Sequence, residues 1–234
     1  MHKSSSFTLS LIKFLLITFL VAGSYSYLMN MAVRYETNIN PVSTEKETVY
    51  TDIIKERIVW ERDYNASIEN TIINELQILP ESILSNWLNI DSNVITVPAI
   101  RGYLDNTDIE NSDPNLDSFI VAYNKLTLQE GKPIMSKIYI LGSEYYIKDS
   151  LLHEIGHFFY DDYLGCNYVL PYFDEEKELF IANEMNGNTY FYNSKEYFAQ
   201  MFAYVLHYGT NTDYPDTFVI KDLIDEYETK YCKR

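Results

Sequence analysis

Two of the four histidines in this chain of 234 residues lie four positions apart, in the stretch HEIGH from His153 to His157. On an α-helix, residues four apart lie one turn above each other, so both imidazole rings can direct a nitrogen at one metal ion. Glu154 directly follows the first histidine, where a carboxylate can accept a proton from water that the metal activates. The spacing therefore predicts a metal site with His153 and His157 as ligands and Glu154 as general base.

The residues around this stretch predict that it is helical. Asp149 or Ser150 is a good N-cap, and the helix is expected to end at Gly165. Apolar residues recur at helical spacing, at Leu151, Leu152, Ile155, Phe158 and Phe159. Gly156 in mid-helix costs about 1 kcal/mol relative to alanine, which predicts that another backbone packs close at that point. On a helix, H-E-x-x-H is typical of zinc metalloproteases; the alternative is two ordinary core or surface histidines.

A third ligand is needed, because a catalytic zinc site usually has three protein ligands. Only His207 remains downstream, and it is far along the chain, so we expect a carboxylate. Glu196, in the stretch NSKEYFAQMFAYVLHYG, is the favoured residue. Three other carboxylates are alternatives, and each is expected to be a solvated charge: Glu176, Glu178 and Glu184.

The stretch that contains Glu196 predicts a helix capped by Asn193 or Ser194. Glu196 shares a stripe of this helix with small residues and one amide: Ala199, Ala203 and Gln200. Small residues would let the helix lie close against the HEIGH helix, and this would bring the Glu196 carboxylate to the metal.

The rest of the chain predicts an α+β fold. Helical spacing in ASIENTIINELQIL (66–79) and a proline start in PESILSNWL (80–88) predict two helices. Three short β-branched and aromatic runs, NVITVPAI, SFIVAY and SKIYILG, predict three or more strands. The remaining C-terminal part is predicted to be mostly helical, so the expected architecture is a small sheet beside a helical lobe.

The composition excludes some partners. Acidic residues outnumber basic residues 34 to 18, which gives a net charge of −16. This charge argues against nucleic acid or an anionic membrane surface as a partner. A hydrophobic content of 47% over 234 residues can fill the core of one substantial domain.

The N-terminus predicts export. Residues 1–26 combine a basic start, the apolar run FLLITFLVA and the small residues GSYS, which is typical of a secretion signal peptide. The alternative is an N-terminal membrane anchor, because 20 mostly apolar residues precede Arg34. Residues 27–49 are predicted to be a polar linker, and residues 50–234 the folded domain. Outside the cell, Cys166 and Cys232 are able to form a disulfide, but spacing alone leaves that pairing open.

The stretches HEIGH, DDYLG and NSKEYFAQMF together resemble the catalytic domain of the anthrax lethal factor family. The small size and the leader are similar to the secreted Pro-Pro endopeptidases within that family. The resemblance covers roughly residues 138–228. It implies a zincin-like metalloprotease domain with a small mixed sheet and an active-site helix, His153, His157 and Glu196 as Zn²⁺ ligands, and Glu154 as general base.

The family also places a tyrosine before the glutamate ligand, where it supports the reacting carbonyl. Tyr190 and Tyr192 are the candidates, and Tyr190 is preferred. The resemblance implies a secreted zinc metalloendopeptidase that cleaves proteins or peptides, with a preference for proline-containing segments. Two alternatives stay open: a binding module that kept the zinc fold but lost activity, and a surface protein held at the membrane.

Overall fold

The computed structural model describes residues 44–100, 121–165, 168–185 and 192–231 of the chain. In these ranges the helices are α1 Thr44–Glu56, α2 Ala66–Gln77, α3 Glu81–Asn89, α4 Glu144–Phe159, α5 Phe173–Glu184, α6 Ser194–Tyr208 and α7 Asp216–Tyr231. A π-helix, Tyr160–Leu164, directly follows α4. The strands are β1 Ile58–Trp60, β2 Asp91–Val97, β3 Ala122–Gln129 and β4 Lys132–Leu141.

The four strands form one mixed sheet in the order β1-β2-β4-β3. The β1–β2 and β2–β4 pairs are parallel, and β3 runs antiparallel to β4 at the edge. Strands β3 and β4 are joined by a tight hairpin turn, in which Glu130 and Gly131 both have positive φ. Alternate residues of β4 face the helices and are fully buried: Ser136, Ile138 and Ile140. The sheet therefore has one helix-covered face, on which the core is built.

Helices α2 and α3 confirm the two helices predicted from residues 66–88. The Asn65 side chain caps α2 by accepting hydrogen bonds from the backbone N–H groups of Ser67 and Ile68. The apolar stripe of α2 is buried, with Ile72 and Leu76 fully inaccessible to solvent. These side chains share one core with the sheet and with α4, so the N-terminal helices hold the HEIGH helix against the sheet.

The C-terminal part is helical, as predicted. Helices α6 and α7 contribute their apolar faces to the same core, for example through Phe202 and Tyr227. The fold is therefore α+β, with a small mixed sheet and a helical C-terminal part. Within the described residues, no helix is both long and apolar enough to cross a bilayer.

The structure corrects one boundary. The predicted N-cap of the HEIGH helix, Asp149 or Ser150, is wrong: α4 begins at Glu144 after Ser143, since Ile147 is also buried in the core one turn before Leu151. The last two residues of the predicted strand SFIVAY begin β3, Ala122–Gln129, and residues 118–120 of that run lie outside the described residues. Tyr50, where the folded domain was predicted to begin, lies inside α1.

Candidate metal centre

The HEIGH residues lie in the C-terminal half of α4, as predicted. After Phe159 the backbone changes to the π-helix, which ends at Gly165 with a φ of 78°. A positive φ suits glycine because it lacks a Cβ, so the predicted end of the helical segment is confirmed. Wide π-turns are frequent at functional sites because they re-aim the side chains beside them.

Helix α6 crosses α4 at Gly156, which confirms the predicted close backbone contact. A Cβ placed on Gly156 would lie 2.9 Å from the Cα and 3.0 Å from the carbonyl oxygen of Ala199. Real Cβ atoms essentially never lie under 3.0 Å from another atom, so the 2.9 Å contact would force a shift. The glycine and the alanine therefore allow the two helices to approach each other closely, with Glu196 one turn before the contact.

This crossing brings together His153, His157 and Glu196. Glu196 Oε2 lies 3.2 Å from Nε2 of His153 and 3.2 Å from Nε2 of His157. One ligand atom from each residue lies within 4.8 Å of those from the other two. Three basic atoms therefore converge on one point, which is the geometry that a metal ion requires.

Gln200 orients the first histidine. It lies one turn after Glu196 on α6, and its Oε1 accepts a hydrogen bond of 3.0 Å from Nδ1 of His153. Nε2 of the same ring lies 3.2 Å from Glu196 Oε2 and donates to it. With a metal bound, the proton would stay on Nδ1 beside Gln200, and the Nε2 lone pair would be available to the metal. The sequence placed Gln200 on the stripe of Glu196 but assigned it no role. For His157, Nδ1 has no hydrogen-bond partner among the described residues.

The electrostatics of the cluster favour a bound cation. Burial raises the pKa of Glu196, but hydrogen bonds from His153 and His157 and their charges outweigh burial and hold the pKa below its usual range. Burial lowers the pKa of His153, but the hydrogen bond to Glu196 and the charges of Glu154 and Glu196 outweigh it, so that pKa is raised. Each group thus favours a positive charge beside the Glu196 carboxylate. A divalent cation supplies that charge directly.

Glu154 is buried beside this cluster, with 7% of its surface exposed. Burial raises the pKa of its carboxyl group, although the charges of His153 and His157 and a hydrogen bond from the backbone of Asn124 oppose the effect. Among the described residues, the cluster that can hold a metal comprises the two histidines and Glu196, and Glu154 is outside it. This position leaves the Glu154 carboxylate available for proton transfer.

An ion pair supports the start of α6. Lys195 Nζ donates to Asp161 Oδ2 at 2.9 Å, and the Asp161 side chain is 4% exposed. Asp161 lies in the π-helix, so the pair joins the end of the HEIGH segment to the residue before Glu196. We did not predict this contact, because Asp161 resembles any surface aspartate in the sequence.

The alternative third ligands lie elsewhere. The prediction that Glu176 is a solvated charge is wrong: its side chain is buried and accepts hydrogen bonds from the Tyr197 hydroxyl and the Asp216 backbone N–H. Glu184 accepts a hydrogen bond from the Tyr214 hydroxyl. Neither residue, nor Glu178, belongs to the group of ligand atoms around Glu196.

Three predicted features lie outside the described residues: Tyr190, Cys166 and Cys232. Tyr192, the other tyrosine candidate, is described and is 46% exposed just before α6. The leader, residues 1–26, is also outside the described ranges.

No protein-family model and no curated protein sequence matches the chain.

Proposed function

We propose that this protein is a zinc-dependent metalloendopeptidase of zincin type. The observation that carries the proposal is the convergence of His153, His157 and Glu196, with a fourth residue, Glu154, buried beside them. A purely structural zinc site closes all four positions with protein ligands, whereas a catalytic site leaves one open. Three protein donors beside an uncommitted carboxylate support the catalytic class.

Zinc suits this donor set. Imidazole nitrogens and a carboxylate oxygen bind zinc at about 2.0–2.1 Å in a tetrahedron, which separates neighbouring ligand atoms by about 3.3 Å. The two separations of 3.2 Å from Glu196 Oε2 to the histidine nitrogens are close to that value. His153, His157 and Glu196 would therefore be able to hold the ion.

Different residues of the chain would then have different roles in hydrolysis. When bound, zinc polarises the substrate carbonyl and lowers the pKa of water to about 7. Glu154 takes the proton from the attacking water and delivers it to the nitrogen of the leaving amine. Gln200 holds the His153 ring in the tautomer that leaves Nε2 free. A tyrosine before α6, Tyr190 or Tyr192, would stabilise the oxyanion.

The substrate proposed is an extended peptide. Strand β3 pairs only with β4 within the described sheet, and α4 packs on the helix-covered face beside it. An extended peptide would add to the side of β3 on which the structure describes no neighbouring strand, through backbone hydrogen bonds. Proline keeps such a peptide extended before it binds, so less conformational entropy is lost. The resemblance to the lethal factor family supports the same preference.

The proposed location is outside the cell, by secretion. The basic and apolar leader supports export, and the net charge of −16 supports a protein that does not bind nucleic acid. Retention of the leader would instead anchor the domain at the outer face of the membrane.

The test is cleavage of a peptide library that varies three residues on each side of the cleaved bond. We expect about one zinc ion per purified chain, activity that a chelator removes and added zinc restores, and preference for proline near the cleaved bond. Glu154→Gln should keep zinc and lower kcat by about 10²–10⁴-fold, since it removes the general base. An active protein without zinc would overturn the proposal. A zinc protein in which Glu154→Gln changes no measurable property would favour the inactive binding module.

A further inference from the structure

Asn124 on the edge strand contacts the backbone of Glu154. Its Nδ2 group donates a hydrogen bond of 2.8 Å to the Glu154 carbonyl oxygen. That carbonyl lies inside α4, where it also accepts the helical hydrogen bond from the N–H four residues later. A carbonyl oxygen has two lone pairs, so the second bond is not needed to satisfy the backbone. It joins β3 to α4 at the residue proposed to move the proton.

The orientation of the Asn124 amide is set by two buried neighbours. Trp87 Nε1 is a donor only, and it donates to Ser136 Oγ at 2.9 Å. The Ser136 hydroxyl therefore turns its own proton to Asn124 Oδ1, 3.0 Å away. With its oxygen occupied in this way, the amide must present its nitrogen to Glu154. Trp87 and Ser136 are both 0% exposed, so water does not compete for these bonds.

The Asn124 amide makes a directional polar contact from β3 to Glu154. The other residues of β3 on this face, Ala122 and Leu126, make apolar contacts, which have no preferred direction.

We propose that Asn124 is a positioning residue for Glu154, which sets the distance between the general base and the strand that receives the substrate. This inference rests on the proposed peptidase function. A displacement of about 1 Å in a catalytic group can cost about 10²-fold in rate. Without the amide, β3 keeps its pairing with β4, so a bound peptide keeps its partner, but Glu154 loses its directional support.

The test is Asn124→Leu, which keeps the size of the side chain and removes both hydrogen bonds of the amide. Asn86→Leu is a matched control, because Asn86 is also half-buried and donates one Nδ2 bond, of 2.7 Å, to the Tyr227 hydroxyl. We expect Asn124→Leu to lower kcat by about 10-fold to 100-fold with little change in KM. Zinc content should stay at the wild-type level. Asn86→Leu should lower thermal stability and leave kcat unchanged.

A second readout needs no turnover. Acetohydroxamic acid binds metal ions, and its acidic proton would lie beside Glu154. Its affinity for the zinc-loaded chain, measured by calorimetry, should fall in Asn124→Leu and in Glu154→Gln, and stay constant in Asn86→Leu.

Equal kcat and equal hydroxamate affinity in the two leucine variants would overturn the role of Asn124, and so would loss of zinc from Asn124→Leu. If that variant does not fold, Asn124→Ala is read by the same criteria. If the wild-type chain binds zinc but cleaves no peptide, the proposed peptidase function is wrong. The hydroxamate affinities still test whether Asn124 positions Glu154.

Discussion

Glu196 and Glu176 are two glutamates of the C-terminal helices, the first half-buried and the second buried, and their carboxyl groups behave in opposite ways. The pKa of Glu196 is held below its usual range because hydrogen bonds and charges from His153 and His157 outweigh burial. The pKa of Glu176 is raised to about 7 by burial and by the nearby Asp216 carboxylate. Burial alone therefore does not identify a metal ligand. The charge of the neighbouring groups does.

Adjacent residues of α6 belong to two clusters. The first contains His153, His157 and Glu196, and the second contains Glu176, Tyr197 and Asp216. Glu196 turns to the histidines of α4, while the Tyr197 hydroxyl donates to Glu176 on the other side of the helix. At the second cluster the carboxylates cap each other's helices. Glu176 accepts from the backbone N–H of Asp216, and Asp216 accepts from the backbone N–H of Tyr172. This reciprocal capping places two acidic groups together, and no ion pair joins either of them to a basic side chain in the described part of the chain. The arrangement suits helix packing and does not suit metal binding.

The largest expected effect is on zinc binding. Glu196→Gln should lower zinc affinity by about 100-fold or more, because the amide oxygen is uncharged and a supporting residue alone is worth about 10–100-fold. Glu176→Gln, the same change in the other cluster, should leave zinc affinity unchanged. Competition with a chromophoric chelator measures both. If Glu176→Gln released zinc and Glu196→Gln did not, the metal site would lie at Glu176 and the proposed site would be wrong.

A smaller effect is expected from the helix crossing that separates the clusters. Gly156→Ala places a Cβ against backbone atoms of Ala199, so α6 must move away from α4 and carry Glu196 with it. Overpacking costs about 1–3 kcal/mol, against a gain in helix propensity of about 1 kcal/mol. We expect zinc affinity to fall by about 10-fold, as for loss of a supporting contact.

The exposed Lys148 of α4 provides the control, since Lys148→Ala should leave zinc affinity at the wild-type value. Adding Ala199→Gly to Gly156→Ala should not restore affinity, because the Cα and the carbonyl oxygen of residue 199 obstruct the new methyl group. Full restoration would show that the contact is between side chains, and that the backbones do not limit the approach.

The last effect concerns stability alone and leaves zinc binding unchanged. The pKa of Glu176 rises from 4.5 to about 7 on folding, so the folded state binds the proton more tightly than the unfolded state. Stability should therefore fall as pH increases from about 4.5 to about 7, by up to about 3 kcal/mol. Glu176→Gln removes this titration. Melting curves at pH 5 and pH 8 should show a smaller decrease in Tm for the variant, with the wild type shifted by several degrees. An unchanged decrease would mean that Glu176 ionises normally in the folded protein.

The strand predictions succeeded where β-branched and aromatic residues are continuous. NVITVPAI and SKIYILG overlap β2 and β4 because both runs are rich in such residues. The last two residues of SFIVAY begin β3, but the strand continues to Gln129, beyond the predicted run. That continuation contains polar residues, among them Asn124 on the helix-facing side, and polar residues weaken the composition from which a strand is recognised. Asn124 is also the residue proposed to support Glu154.

The sequence alone determined those features of the site that depend on local spacing. The helical period places His153 and His157 on one face, and it places Ala199 one turn after Glu196, so the close crossing at Gly156 followed from small residues on two stripes. Only the tertiary structure decided which residues form hydrogen bonds across the fold. Gln200 on His153, Asn124 on Glu154, Lys195 on Asp161 and Asp216 on Glu176 all join separate elements. Side chains distant in sequence meet only after the helices and the sheet have packed. The type of a residue therefore does not predict which distant residue it will contact.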